Sequence, residues 1–159
     1  MTRLKMPQPG DIVRCKFPFM EDRNLFKYRH ALVLFVSESR MLDQRGAVVV
    51  AYGTSQKTDN IYPDEVLLDQ KSPAFGVTGL KKTTKFNMSR IETMVLSDEN
   101  FLIAPNGQVS VGVLHPSMVD QVAQAWSRRR APVAGMGQTA PKKTENKDGD
   151  TERRPGRMR

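Results

Sequence analysis

The chain has 159 residues, with 25 Lys and Arg against 17 Asp and Glu, a formal net charge of +8. That length suggests one domain of ordinary size, and the single cysteine and two histidines exclude a disulfide framework, a paired-cysteine site and a histidine-rich metal centre. No apolar run approaches the ~20 residues of a membrane span, and the opening MTRLKMPQPG lacks the apolar stretch of a signal peptide, so a reducing, cytoplasmic setting is expected.

An arm over residues 1–8 precedes a folded domain over 9–130. Val13, Cys15, Phe17 and Phe19 alternate with Arg14, Lys16 and Pro18, the period of a half-buried strand. His30–Val36 and Ala47–Tyr52 are short apolar runs rich in β-branched and aromatic residues, which predicts central strands buried on both faces. Long loops are expected at 20–28 and 53–64. Val66 and Leu68 suggest a short strand before Pro73. Lys85–Met88 and Ile91–Leu96 look like two strand pieces. Phe101–Ala104 and Gln108–Leu114 flank Pro105-Asn106-Gly107, a good hairpin turn because Asn and Gly accept positive φ. Behind it Val109, Val111 and Val113 alternate.

A helix is expected over 116–128. Pro116 suits the first helical position, Asp120 complements the positive helix start, and Arg128, Arg129 and Arg130 its negative end. Val119, Val122, Ala123 and Trp126 would form its apolar face. The order predicts a mainly β fold, a small curled antiparallel sheet or barrel with a C-terminal helix. Residues 131–159 are poor in large apolar groups and predict a disordered basic tail. From Arg128 onward ten Lys and Arg face four Asp and Glu, so most of the net charge lies there. Such a tail attracts polyanions generally and says little about the folded part.

The chain contains no phosphate-binding glycine loop, no nucleophile elbow and no zinc spacing. Chemistry must then use Arg, Thr, Ser, Lys, Asn or His without a metal, an inventory suited to phosphate. Two places stand out. Arg29-His30 enters a buried strand, where an arginine can be aimed; otherwise Arg29 ends a loop and reaches solvent. Gly53-Thr54-Ser55-Gln56 follows a buried strand and could cradle an anion; otherwise it is a polar turn.

Three strings carry a family resemblance. They are Gly10-Asp11-Ile12-Val13, Arg29-His30-Ala31-Leu32-Val33-Leu34 and Ala47-Val48-Val49-Val50-Ala51-Tyr52-Gly53-Thr54-Ser55-Gln56. In that order and spacing they resemble the PemK/MazF family of toxins from type II toxin-antitoxin systems. Thr84–Arg90 is similar to the family's segment ahead of its next strand, and Val113-Leu114-His115-Pro116 to its entry into the terminal helix. The resemblance implies an SH3-like barrel that forms a homodimer. It implies growth inhibition by metal-independent, sequence-selective cleavage of single-stranded RNA, mostly mRNA, leaving a 2′,3′-cyclic phosphate and a 5′-hydroxyl, with no cofactor.

By position, Arg29 and Thr54 match the family's catalytic residues. Ser55 and Gln56 follow as phosphate and base contacts. Lys57, Lys81, Lys82 and Lys85 would line the RNA groove with Arg29, and Asn87 would join the RNA contacts. The implied protein partner is a cognate antitoxin whose acidic end lies across the groove, with operator DNA bound through it. Two positions depart from the pattern. His30 replaces the family's proline and could act as an acid or base near neutral pH. Asn87 stands where some members have a carboxylate, and it cannot take a proton. These departures also fit an alternative, a non-catalytic nucleic-acid-binding or regulatory module on the same barrel. A third reading is a structural adaptor anchored by the tail.

Overall fold

The computed structural model describes residues 4–37 and 46–130. The expected tail over 131–159 lies outside them. Six strands form one antiparallel sheet: β1 (Asp11–Pro18), β2 (Phe26–Ser37), β3 (Ala47–Thr54), β4 (Glu65–Leu68), β5 (Thr84–Val95) and β6 (Ser110–Val113). Their order across the sheet is β4-β5-β3-β2-β1-β6. A 3₁₀ turn, Gly76–Thr78, interrupts the β4–β5 connection, and a second, Pro116–Met118, leads into helix α1 (Val119–Ser127). The expected mainly β fold with a C-terminal helix is what forms.

The apolar runs make central strands because consecutive residues bury on opposite faces. Leu32 and Ala51 join Ile12, Val66, Leu68, Phe86 and Met88 in one core, inside the curl of the sheet. Ala31, Val33, Val48 and Val50 join Val13, Cys15, Phe17 and Phe101 in a second core, on the other face. Met118, Ala125, Val122 and Trp126 cover the first. Leu4 and Met6 of the arm pack on the second. Antiparallel partners share a face, so one register fixes both cores.

Three expectations are corrected. The two strand pieces over 85–96 are one strand, β5, with a bulge. Ala51 pairs with Ile91 and Tyr52 with Asn87, which leaves Met88, Ser89 and Arg90 unopposed. Val111 and Val113 are exposed although Val109 is buried. The register between β1 and β6 shifts at Ile12/Val13, where Val13 faces Ser110 and Ile12 faces Gly112, and the extra residue breaks the alternation. The helix face is shifted from the expected one: Val122 and Trp126 pack on the core as expected, but Val119 and Ala123 do not. Met118 and Ala125 are buried while Val119 is 54% exposed, because the first turn is the tighter 3₁₀ form. Trp126 then meets Phe35 edge-on, at 5.4 Å between ring centroids.

The curl closes without a strand pair. Gly79, just beyond the first 3₁₀ turn, lies against the Val111 carbonyl of β6, and Gly112 lies against the Thr78 carbonyl. A Cβ on either glycine would overlap that backbone, and Gly79 also holds a φ of +72°. Gly79→Ala is therefore expected to destabilise the protein by about 2 kcal/mol or more, from overlap plus left-handed strain. Gly76→Ala, which has open space around its Cβ position, should stay within about 0.5 kcal/mol of wild type. Urea unfolding of the two variants side by side checks this.

Candidate functional site

Strand register decides which side chains can meet. Cys15 pairs with Arg29 and Val13 with Ala31, so Arg29 projects from the face of the second core. On β3, Tyr52 and Thr54 follow Val48 and Val50 at period two and share that face. Ala31 pairs with Tyr52. Ala31 and Tyr52 are the last paired residues of the two strands, so Arg29 and Thr54 each lie two residues beyond that pair on the same face. The strands remain adjacent there, since Gly53 lies so close to the His30 carbonyl that a Cβ would overlap it. The backbone thus sets the two candidate residues on one face of neighbouring strands.

His30 does not join them. It is the next residue along an unbroken stretch of β2 and projects to the opposite face, where it pairs with Arg14. Strand alternation thus sets His30 and Arg29 on opposite faces of β2. Burial and then the Arg14 charge push its imidazole below the ordinary 6.5.

Thr54 ends β3. Its Oγ1 accepts a 3.1 Å hydrogen bond from the Gln56 N–H. With that acceptor position engaged, its hydroxyl proton is available to a ligand. Ser55, Gln56 and Lys57 are exposed in the loop that follows, and Lys57 has a φ of +54°. Lys81 and Lys82 are also exposed. Lys85 pairs with Thr54 in register yet is only 7% exposed. Its Nζ donates to the Asn60 carbonyl at 3.0 Å and to Glu65 Oε1 at 3.1 Å. Instead of lining a groove as a free cation, Lys85 ties the loop after Thr54 to the sheet.

Asn87 is likewise engaged. Its Oδ1 accepts from the Ser89 N–H at 2.8 Å, which shapes the bulge, and its Nδ2 lies 3.5 Å from Glu65 Oε2. Glu65 also accepts from the Tyr62 N–H at 3.0 Å.

Several residues on this face were not singled out in the sequence. Arg90 leaves the bulge and lays its guanidinium 3.8 Å from the Tyr52 ring centroid, with Phe17 at 5.4 Å. The Arg29 guanidinium is 5.4 Å from the same Tyr52 ring. Glu92 is held by Arg23 through two 2.8 Å contacts. Among the described residues neither Arg29 nor Arg90 forms an ion pair. Cys15, also on this face, is fully buried, and burial with the Glu92 charge pushes its thiol up to about 12. It stays protonated and is no nucleophile. Among the described residues no three His, Cys, Asp or Glu side chains gather as metal ligands would, and no helix is long and apolar enough to cross a membrane.

No family model matches the sequence, and no curated protein does. Among solved structures, an endoribonuclease from a mycobacterial species is 18% identical. The match covers 79% of this chain and 91% of that one, with a TM-score of 0.49. A mycobacterial endoribonuclease in complex with its cognate antitoxin is also 18% identical, with 79% and 97% covered and a TM-score of 0.45.

The lowered His30 value has a consequence for stability. The unfolded chain takes up this proton at a higher pH than the folded chain does. Above 6.5 His30 is neutral in both states and contributes nothing; as pH falls below 6.5 it increasingly favours unfolding. His30→Gln should therefore lose less stability than wild type between about pH 7 and about pH 5. Urea midpoints measured at a series of pH values give the comparison.

Proposed function

We propose that the protein is an endoribonuclease toxin of the PemK/MazF type, acting on single-stranded RNA without a metal. The observation that carries this reading is that Arg29 and Thr54 share one face at the ends of the neighbouring strands β2 and β3, where among the described residues Arg29 and Arg90 form no ion pair. The sequence resemblance supports it independently.

The chemistry follows from the substrate's own nucleophile. The ribose 2′-oxygen attacks the adjacent phosphorus and gives up its proton. The bond from phosphorus to the 5′-oxygen breaks, and that oxygen takes a proton. The products are a 2′,3′-cyclic phosphate and a 5′-hydroxyl. Negative charge builds on the non-bridging oxygens as phosphorus becomes five-coordinate. A guanidinium and a hydroxyl aimed there stabilise the transition state more than the ground state. DNA lacks the 2′-hydroxyl and escapes cleavage. Ser55, Gln56 and Lys57, exposed beside Thr54, contact the strand and select sequence. Lys82 and the tail add attraction to phosphates in general. Lys85 and Asn87 act by holding the loop and the bulge in shape. The partners that accompany this reading are a second copy of the chain, a small antitoxin with an acidic segment, and operator DNA bound through that antitoxin.

Arg29→Ala and Thr54→Ala should each lower the cleavage rate by about 10²–10³ and relieve growth inhibition, with circular dichroism unchanged. Arg29→Lys should rescue poorly, because an ammonium lacks the planar fork, and His30→Ala should be mild. The measurement is initial rates on RNA in EDTA, with end-group analysis for cyclic phosphate. If wild type binds RNA but yields no fragments, the non-catalytic module replaces the enzyme. Deleting 132–159 should weaken RNA affinity and flatten its salt dependence without moving the cleavage position; titrations at several salt concentrations and fragment mapping test it.

A further inference from the structure

We propose that Arg90 is a second phosphate-binding residue of this face, taking the phosphate next to the one held by Arg29 and Thr54. The inference rests on the RNA-cleaving reading and extends it from one phosphate to two.

The β5 bulge is what makes Arg90 available. In a regular ladder, residues 88–90 would oppose β3. Here Asn87 Oδ1 takes the Ser89 N–H, the Met88 N–H goes to the Asp64 carbonyl, and the Ser89 hydroxyl bonds Asp64. Those bonds stabilise the extra residues and re-aim Arg90 onto Tyr52, as bulges beside functional sites commonly do.

Tyr52 then carries two cations. Its ring is fixed edge-on by Phe17, with centroids 5.2 Å apart. Arg90 lies on it at 3.8 Å and Arg29 approaches at 5.4 Å. An aromatic face attracts each guanidinium, but only modestly at a half-exposed site. The two guanidinium groups also repel one another. Glu92, on the same face, is already held by Arg23. The only hydrogen bond formed by the Arg90 side chain among the described residues runs from Nη2 to the Pro18 carbonyl at 3.1 Å. Most of its donors are therefore unused. Two guanidinium groups, both within 5.4 Å of one ring centroid and without an ion-pair partner among the described residues, suit two anionic groups held a short distance apart. Consecutive phosphates of a single strand meet that description. Thr54 sits on the Arg29 side of this pair by register, which assigns the reacting phosphate to Arg29 and its neighbour to Arg90. Tyr52 is the positioning residue for both.

The test uses an oligoribonucleotide built around the mapped cleavage position, with each flanking phosphate in turn replaced by a neutral methylphosphonate. Wild type should lose about tenfold or more in kcat/KM when one flanking phosphate is neutralised, the value of a charge-assisted contact. Arg90→Gln should lose a similar factor on the normal substrate and nothing further on that neutral one. Arg90→Lys should recover part of the loss. Equal losses for Arg90→Gln on charged and neutral substrates would make Arg90 a strut and overturn the proposal. So would a wild-type rate indifferent to both replacements, a result that stands even if Arg90→Gln fails to fold. If wild type cleaves no RNA, the enzyme reading fails separately. Binding of a 2′-O-methyl oligonucleotide then decides Arg90: the slope of log affinity against log salt should fall by about one in Arg90→Gln, and an unchanged slope overturns the assignment.

Discussion

A sheet buried on both faces cannot slip. Shifting β2 by one residue against β3 would send Ala31 and Val33 toward the core of Leu32 and Phe86, and Leu32 toward that of Phe17 and Val50. Both cores would lose their fit at once. This constraint locks the register, which sets Arg29 and Thr54 on one face at the ends of neighbouring strands. The candidate site is thus positioned by the hydrophobic effect acting several residues away, and Arg29 forms no ion pair among the described residues.

Charge on the site face is handled in two ways. Near the loop after Thr54, Lys85 and Glu65 are both almost fully buried and neutralise one another. Such a pair contributes little net stability compared with apolar residues of the same size. What it provides is a fixed donor to the Asn60 carbonyl, and hence a defined path for the exposed Ser55, Gln56 and Lys57. Beside Tyr52 the opposite holds: Arg29 and Arg90 approach one ring without an ion pair among the described residues.

Much of the fold can be read directly from the chain. The runs at 30–36 and 47–52 give their central position away because from Ala31 to Val36 and from Ala47 to Tyr52 every residue is apolar or aromatic. The observed strands are longer, since Phe26–Arg29 and Gly53–Thr54 are paired by β1 and β5 despite their polar or flexible character. The bulge in β5 escapes notice because it depends on Asp64, far away in sequence, accepting the Met88 N–H. Helix orientation hinges on one residue, Met118 in place of Val119, and a 3₁₀ start has no sequence period to announce it. The candidates Arg29 and Thr54 come from the motif. The separation of His30 from Arg29 follows from strand alternation alone. Arg90 on Tyr52 and Lys85 on Glu65 are long-range side-chain meetings, which spacing along the chain does not encode.

The manner in which the curl closes limits how other chains can join it. Its two terminal strands, β4 and β6, have four residues each, and Gly79 lies against β6 at Val111 by backbone contact. β4 covers only Thr84–Asn87 of β5, so among the described strands Ile91–Val95 pair with β3 on one side alone and form the longer stretch of border. A companion chain can therefore add along that stretch or settle face-on, against side chains such as the exposed Val111 and Val113. A face can be released by changing a few side chains, whereas an added strand is surrendered only by breaking a ladder of hydrogen bonds.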